Sequence, residues 1–384
     1  MDTTASLESA GSLDRPVSSK RRVLILMTRT GGGHMNLAQS LKETLSESCE
    51  VQIADPYPDI LHHYYAGLSR HFLWFWDVQY RFTNNWPLSY VLHSVLSNGV
   101  KRAVAALIEK TQPDLIISTH ALLSFEVTRA LKLLSKKIPF ICQLTDLEEV
   151  HTAWFTEKKA DIYLAPTREI HDQALREGVK RERLYAAGRP VRRQFLELDT
   201  SPSRRAETLT SLGLDPTMFT VFLQGGAKGS AGVDRTVKSI LNAGVPIQII
   251  LAVGNNTTMA AHFSGVDRLA VLPFTEAIAP YLDAADVMVG KPGASFLTEA
   301  FTLEKPFIVT TFIPGQEAPN LRFIQRHNLG WVCLDQGKLR SLLKTLATDS
   351  TVMQEKITSI RAYKEWNTQA RQAVLPVVEQ LLTV

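Results

Sequence analysis

Thr28 to His34 reads T-R-T-G-G-G-H. Consecutive glycines let a backbone turn sharply and lie close to a ligand. A helix starting after them offers free N–H groups and a positive dipole end to an anion or to hydroxyls. His34 closes the run, and its ordinary pKa suits proton transfer near neutrality. A tight turn with a histidine at a helix start accounts for the same residues equally well. Thr145-Asp146, with His151 and Trp154-Phe155 beyond, forms a second group. Here the carboxylate can orient a histidine, bind a sugar hydroxyl, or cap a helix. Leu223-Gln224-Gly225-Gly226 is a third, in which the glycine pair can cradle a diphosphate through backbone N–H groups.

Lys291-Pro292-Gly293-Ala294-Ser295 combines a turn, a hydroxyl and a helix start, which together suit an anion. Glu299, about one turn further on, can accept two hydrogen bonds from a ribose diol or lie on the helix surface. Ile313-Pro314-Gly315-Gln316-Glu317, with Asn320 three residues later, pairs an amide with a carboxylate, a combination suited to a hexose. It also reads as a polar loop opening a helix. No Asp-x-Asp pair occurs, so the usual sequence sign of a metal-held diphosphate is missing. Helix dipoles and backbone donors would then carry the charge of a leaving diphosphate. No G-x-S-x-G elbow and no Walker A loop is present.

These groups must be positioned by strands and helices, and the alternation of apolar runs supplies both. Val23 to Met27, Leu115 to Ser118, Phe140 to Leu144 and Ile162 to Ala165 read as buried strands. A helix is expected from about Asn36 to Ser46. A second strand series comprises Phe219 to Leu223, Ile247 to Val253, Leu269 to Leu272, Val287 to Val289 and Phe307 to Thr310. Strands alternating with helices imply parallel sheets, in which ligands sit outside the carboxyl ends of the strands. Each group above follows such an end. The polar stretch 196–206 reads as a linker between two domains, and 384 residues suit two domains. The last thirty residues are helical, a tail expected to pack back on the first domain.

The composition, 45% hydrophobic and 21% charged, is that of a soluble globular protein. No run reaches the roughly 20 apolar residues that span a bilayer. The first twenty residues read as a disordered tail rather than a signal peptide. A net charge of +4 and a pI near 8.8 do not argue for nucleic acid, but they are compatible with an anionic membrane. Cys49, Cys142 and Cys333 show neither metal-ligand spacing nor a disulfide framework, which suits a reducing, cytoplasmic setting. Residues 64–90 hold Tyr64, Tyr65, Phe72, Trp74, Phe75, Trp76, Tyr80, Phe82, Trp86 and Tyr90, with Arg70 and Arg81 interleaved. Such a segment suits insertion among lipid headgroups; a core-packing insertion is the other reading.

Taken in order, G-G-G-H, T-D with His and W-F, G-x-P-V-R at Gly188 to Arg192, K-P-G-x-x-x-x-T-E-A at Lys291 to Ala300, and P-G-Q-E-x-x-N at Pro314 to Asn320 resemble the monogalactosyldiacylglycerol synthases and the processive diacylglycerol glucosyltransferases. The resemblance covers roughly residues 21–375. It implies an α/β fold of the GT-B type, with two Rossmann-like domains whose parallel sheets face a central cleft. The expected units are a tail (1–20), an N-terminal acceptor and membrane-binding domain (21–195), a C-terminal nucleotide-sugar domain (206–364) and a terminal helix (365–384). It also implies an inverting transfer of glucose or galactose from a UDP-sugar to diacylglycerol, with no metal and no cofactor, at an anionic membrane surface. The localisation implied is peripheral, on the cytoplasmic side, and of prokaryotic type.

Position by position, the resemblance makes His34 the general base, with Asp146 and His151 as catalytic helpers. Gly225, Gly226, Gly293, Ala294 and Ser295 would hold the diphosphate, and Asn255 and Phe274 the uracil. Glu299 would bind the ribose, and Gln316, Glu317 and Asn320 would lie on the sugar side. Gly32, Gly33, Trp74, Phe75, Trp76 and Trp154 would face acceptor or membrane. The chain departs from the pattern at Met35-Asn36-Leu37-Ala38, at Thr152 after His151, and at Arg189, which stands where the family has an apolar residue. The lysine turn has the bacterial K-P-G form. Two alternatives share the fold: a peptidoglycan lipid-linked N-acetylglucosaminyltransferase and a UDP-N-acetylglucosamine 2-epimerase. The first should carry a second glycine-rich loop in its N-terminal half, which is absent. The second needs no aromatic segment.

Overall fold

The structure, a computed structural model, describes residues 20–29, 32–59, 73–225 and 232–383. Twelve strands form two sheets of six, and every pairing is parallel. The first contains β1 (Arg21–Leu26), β2 (Cys49–Ala54), β3 (Leu115–Ser118), β4 (Phe140–Gln143), β5 (Ile162–Ala165) and β6 (Leu184–Ala186), in the order β2-β1-β3-β4-β5-β6. The second contains β7 (Phe219–Gln224), β8 (Ile247–Gly254), β9 (Leu269–Pro273), β10 (Val287–Gly290), β11 (Phe307–Val309) and β12 (Gly330–Val332), in the order β12-β11-β10-β7-β8-β9. Helices cover both faces of each sheet, so central strands such as Leu115–Ser118 and Val287–Gly290 are buried along their whole length. That double burial makes them legible as unbroken apolar runs.

β2, β6 and β12 were missing from the sequence reading, and each lies at a sheet edge. β2 reads C-E-V-Q-I-A with one side half-open, and the other two are three residues long. The helix after β1 starts at Gly32, four residues earlier than expected, and ends at Leu45. The expected linker is mostly ordered: helices Arg193–Leu196 and Pro202–Ser211 leave only residues 197–201 between them. Residues 1–19, Gly31, Tyr64, Tyr65, Arg70, Phe72 and Gly226 lie outside the described residues.

The long helix Thr351–Arg371 puts Ile360 and Tyr363 into the core of the second sheet. The following helix, Val374–Thr383, places Val374, Val377 and Val378 in the core beside β1 and β3. The strand order of each sheet reverses once, between β1 and β3 and between β7 and β10. Open α/β sheets bind ligands at such switch points. The four strand ends concerned carry Gly32 to His34, Thr119-His120, Gln224-Gly225 and Lys291 to Ser295.

Candidate active site

His34 sits in the first turn of the helix that follows β1. Its Nδ1 lies 2.8 Å from the carbonyl oxygen of Thr119, just past β3. A carbonyl can only accept, so Nδ1 carries the proton and Nε2 keeps its lone pair. Burial lowers the imidazolium to about 4; the Thr119 carbonyl opposes this and the Arg189 charge adds to it. The ring is therefore neutral at physiological pH, with an acceptor nitrogen left for a substrate proton. His120 meets it edge-on, with ring centroids 4.8 Å apart. The sequence reading passed over His120, although it follows the end of β3 just as Asp146 follows the end of β4.

Across the cleft, Ser295 begins the helix Ala294–Thr302. Its hydroxyl donates to the carbonyl of Gly33 at 3.0 Å and accepts from Arg189 Nη2 at 2.7 Å. The glycine turn of the first half and the K-P-G-A-S turn of the second therefore touch. Burial pushes the Asp146 carboxyl up to about 6; Arg189 pulls it back, Glu317 pushes it further, and a hydrogen bond from Asn320 steadies the ionised form. Asp146, Arg189, Glu317 and Asn320 thus share one electrostatic environment.

Several expected ligands are engaged within the protein. Glu299 Oε1 accepts from Arg192 Nη2 at 2.8 Å and Nε at 3.0 Å, with Asn36 Nδ2 at 3.4 Å. Glu317 meets Lys291 Nζ at 3.2 Å through one oxygen and accepts from the Ile313 N–H at 2.7 Å through the other. Asn320, fully buried, accepts from the Leu147 N–H at 3.4 Å and donates to the Pro292 carbonyl at 2.9 Å. It ties the loop after β4 to the turn after β10. Gly315 (φ 75°) packs beneath Tyr80; a Cβ there would lie 2.8 Å from the ring, so only glycine fits. Gln316 is half-buried in the same loop.

Two expectations are corrected. His151 does not present a free nitrogen to the cleft. Its Nδ1 accepts from the Ala153 N–H at 3.0 Å, and its Nε2 lies 3.2 Å from both the Tyr80 carbonyl and the Thr83 hydroxyl. It anchors the helix Leu73–Thr83, and burial lowers its imidazolium to about 4. Trp154 is 4% exposed, so it faces neither acceptor nor membrane. The 3-10 turn Thr152–Phe155 tucks it into the core beside Val150 and Val104.

Gly225 donates to the Ala252 carbonyl at 3.1 Å, which holds the ends of β7 and β8 together. Phe274 is 62% exposed beside the exposed Asn255, joined through the Phe274 N–H and Gly254 carbonyl at 3.1 Å. Gly293 caps the helix that begins at Ala294, and a Cβ on it would lie 3.8 Å from Glu317 Oε1.

The helices Leu73–Thr83 and Trp86–Thr111 carry a broad exposed apolar face. Trp74 is 70% exposed and Phe82 68%, and Phe75, Val78, Trp86, Val91, Val95 and Leu96 are exposed with them; Trp76 is half-buried. Large exposed apolar side chains gathered on two successive helices suit contact with another apolar body. Among the described residues no helix is long and apolar enough to cross a membrane.

The family model for monogalactosyldiacylglycerol (MGDG) synthase matches residues 34–191, and that for the glycosyltransferase family 28 C-terminal domain matches residues 220–370. The chain is 30% identical over 335 residues to the chloroplastic monogalactosyldiacylglycerol synthase of Spinacia oleracea, covering 81% of this chain and 63% of that protein. It is 29% identical over 341 residues to monogalactosyldiacylglycerol synthase 1 of Arabidopsis thaliana, covering 83% of this chain and 62% of that protein. The chain thus spans somewhat less than two thirds of the length of these relatives. Among solved structures, it superposes on the glycotransferase of kitacinnamycin with a TM-score of 0.64 at 13% identity, covering 96% of this chain and 100% of that one. That likeness fixes the fold as GT-B.

Proposed function

We propose that this chain, a sugar-transferring enzyme matched by the monogalactosyldiacylglycerol synthase model over residues 34–191 and the glycosyltransferase family 28 C-terminal model over residues 220–370, moves a hexose, galactose or glucose, from a UDP-sugar to the hydroxyl of diacylglycerol. The reading rests chiefly on one juxtaposition. A histidine with Nδ1 anchored and Nε2 available lies on the glycine turn that touches the serine at the head of the second half's phosphate-type turn. His34 Nε2 takes the acceptor proton while the alkoxide attacks the anomeric carbon, and UDP leaves from the opposite face. A single displacement of this kind inverts the sugar and gives a β-glycosyl lipid. Asp146 helps from the acceptor side of the cleft. On this reading residues 21–195 form the acceptor and membrane-binding unit, residues 206–364 the nucleotide-sugar unit, and residues 365–384 a terminal helix. The apolar face around Trp74 and Phe82 supports a peripheral position on an anionic membrane, where diacylglycerol is found.

Thin-layer chromatography of reactions containing the protein, UDP-galactose or UDP-glucose, and diacylglycerol in mixed micelles tests this. A glycolipid spot that depends on donor and protein is expected. No glycolipid with either donor, together with epimerisation of UDP-N-acetylglucosamine, would sink the proposal.

A further inference from the structure

We propose that Arg189 takes up the negative charge of the leaving diphosphate; the assignment rests on the UDP-sugar reading above. The side chain comes from the first half of the protein, in the Gly188–Arg192 segment after β6. Its backbone is held on both sides by Asn367 of the long helix Thr351–Arg371: the Arg189 N–H donates to Oδ1 at 2.7 Å, and its carbonyl accepts from Nδ2 at 3.1 Å. Gly188 makes this approach possible, with φ at 63° and room for no Cβ, which would fall 2.8 Å from the Asn367 carbonyl oxygen. The position is built by three separate parts of the chain.

From there the guanidinium crosses to the second half. It is 2% exposed, donates to the Thr145 carbonyl through one arm and reaches Ser295 Oγ at 2.7 Å through the other. Ser295 stands at the start of a nine-residue helix, where the dipole and free N–H groups already favour an anion. Thr145 and Ser295 engage two of the five N–H donors of the guanidinium. Its planar fork matches two phosphate oxygens, and the charge cannot be lost by deprotonation. A cation taken out of water this far needs negative partners. Asp146 and Glu299 are nearby, but Glu299 is bonded to Arg192 and the Asp146 carboxyl is itself strained towards its neutral form. In the reaction, the bond from the anomeric carbon to the β-phosphate oxygen breaks with its electron pair on that oxygen, and the acceptor proton passes to His34. The new charge appears on UDP, beside Arg189.

Isothermal titration of the full-length protein with UDP, UMP and uridine tests the assignment in wild type, Arg189→Gln and Arg189→Lys. Arg189→Gln should lower the preference for UDP over UMP by about 10- to 100-fold, the effect of losing a charge-assisted pair. Uridine affinity should stay within about twofold, which a merely structural role of the side chain at Thr145 and Ser295 would not allow. Arg189→Lys, a point charge without the fork, should fall between the two. An undiminished UDP preference in Arg189→Gln would refute the assignment while leaving the donor site standing. A wild-type protein that binds UDP no better than uridine would overturn the donor-site reading and the assignment with it. Should Arg189→Gln lack a cooperative thermal transition, Arg189→Lys decides, and an unchanged UDP preference there is the refuting result.

Discussion

Replacing His34 with alanine removes the acceptor nitrogen proposed to take the substrate proton. The geometry sets the size of the effect. Nδ1 is fixed on Thr119 at 2.8 Å, so the reactive tautomer is present before substrate binds. With its imidazolium lowered to about 4, roughly one ring in a thousand is protonated at pH 7, so almost every molecule is competent as a base. What alanine removes is proton transfer itself, about 10²- to 10⁴-fold in kcat, or roughly 3–5 kcal/mol of barrier. The KM for UDP-hexose should change little, because Ser295 meets the backbone of Gly33 and not the imidazole. The pH profile sharpens the test. A histidine titrating near 4 cannot produce a fall in rate between pH 7 and 5. A carboxylate raised to about 6 can: Asp146 loses its ionised form as pH falls through that value. Initial rates with radiolabelled donor from pH 5 to 9 should show an acidic limb near 6 in wild type and in the residual activity of His34→Ala. The limb should flatten in Asp146→Asn. A His34→Ala enzyme within about tenfold of wild type, or an acidic limb that disappears with His34, would refute the reasoning.

Three further outcomes are expected. Glu299→Ala strands the Arg192 guanidinium, whose side chain is only 13% exposed, and should destabilise the protein by about 3–5 kcal/mol, whereas Arg192→Met with Glu299→Leu should recover most of it; thermal denaturation of the singles and the double measures the coupling. Trp74→Ser with Phe82→Ser should weaken sedimentation with anionic liposomes by about tenfold or more while leaving the melting temperature nearly unchanged, since both rings already face solvent. His93 is buried against Phe125, with Nδ1 3.2 Å from the Thr156 hydroxyl, and its imidazolium is lowered to about 4. Below its ordinary 6.5 the unfolded chain takes a proton that the folded one refuses until about 4, so stability is lost as pH falls across that window. His93→Gln should remove about 2 kcal/mol of that loss, read as the difference in unfolding free energy from urea titrations at pH 7 and 4.5.

The central strands were legible in the sequence because burial on both faces leaves unbroken apolar runs, as in Leu115–Ser118 and Val287–Gly290. The edge strands were not, since Leu184–Ala186 and Gly330–Val332 are too short to carry a pattern and Cys49–Ala54 has an open side. Strand ends located the site: every glycine turn singled out in the sequence and described in the structure follows a strand. Side-chain engagement was hidden. Nothing local to Glu299 announces Arg192, which is 107 residues away in the chain. Nothing near His151 announces Thr83, 68 residues before it. Trp154 shows the limit of reading aromatic residues by type, because only the turn around it decides whether an indole points inward or outward. Nothing local to Arg189 announces Thr145 or Ser295, 44 and 106 residues away in the chain. Its meaning needed the distance to Ser295.

The chain passes from the first sheet's half to the second near residues 197–201, and it returns where the helix Thr351–Arg371 gives way to Val374–Thr383. Two covalent crossings define a line, and a body joined to another along a line swings like a door rather than rolling on a ball joint. With the Ser295–Gly33 contact the two crossings leave the halves little freedom to shift against each other. Lengthening the short 197–201 passage is therefore expected to blur the transfer geometry before it weakens either half, read as a lower kcat at an unchanged melting temperature.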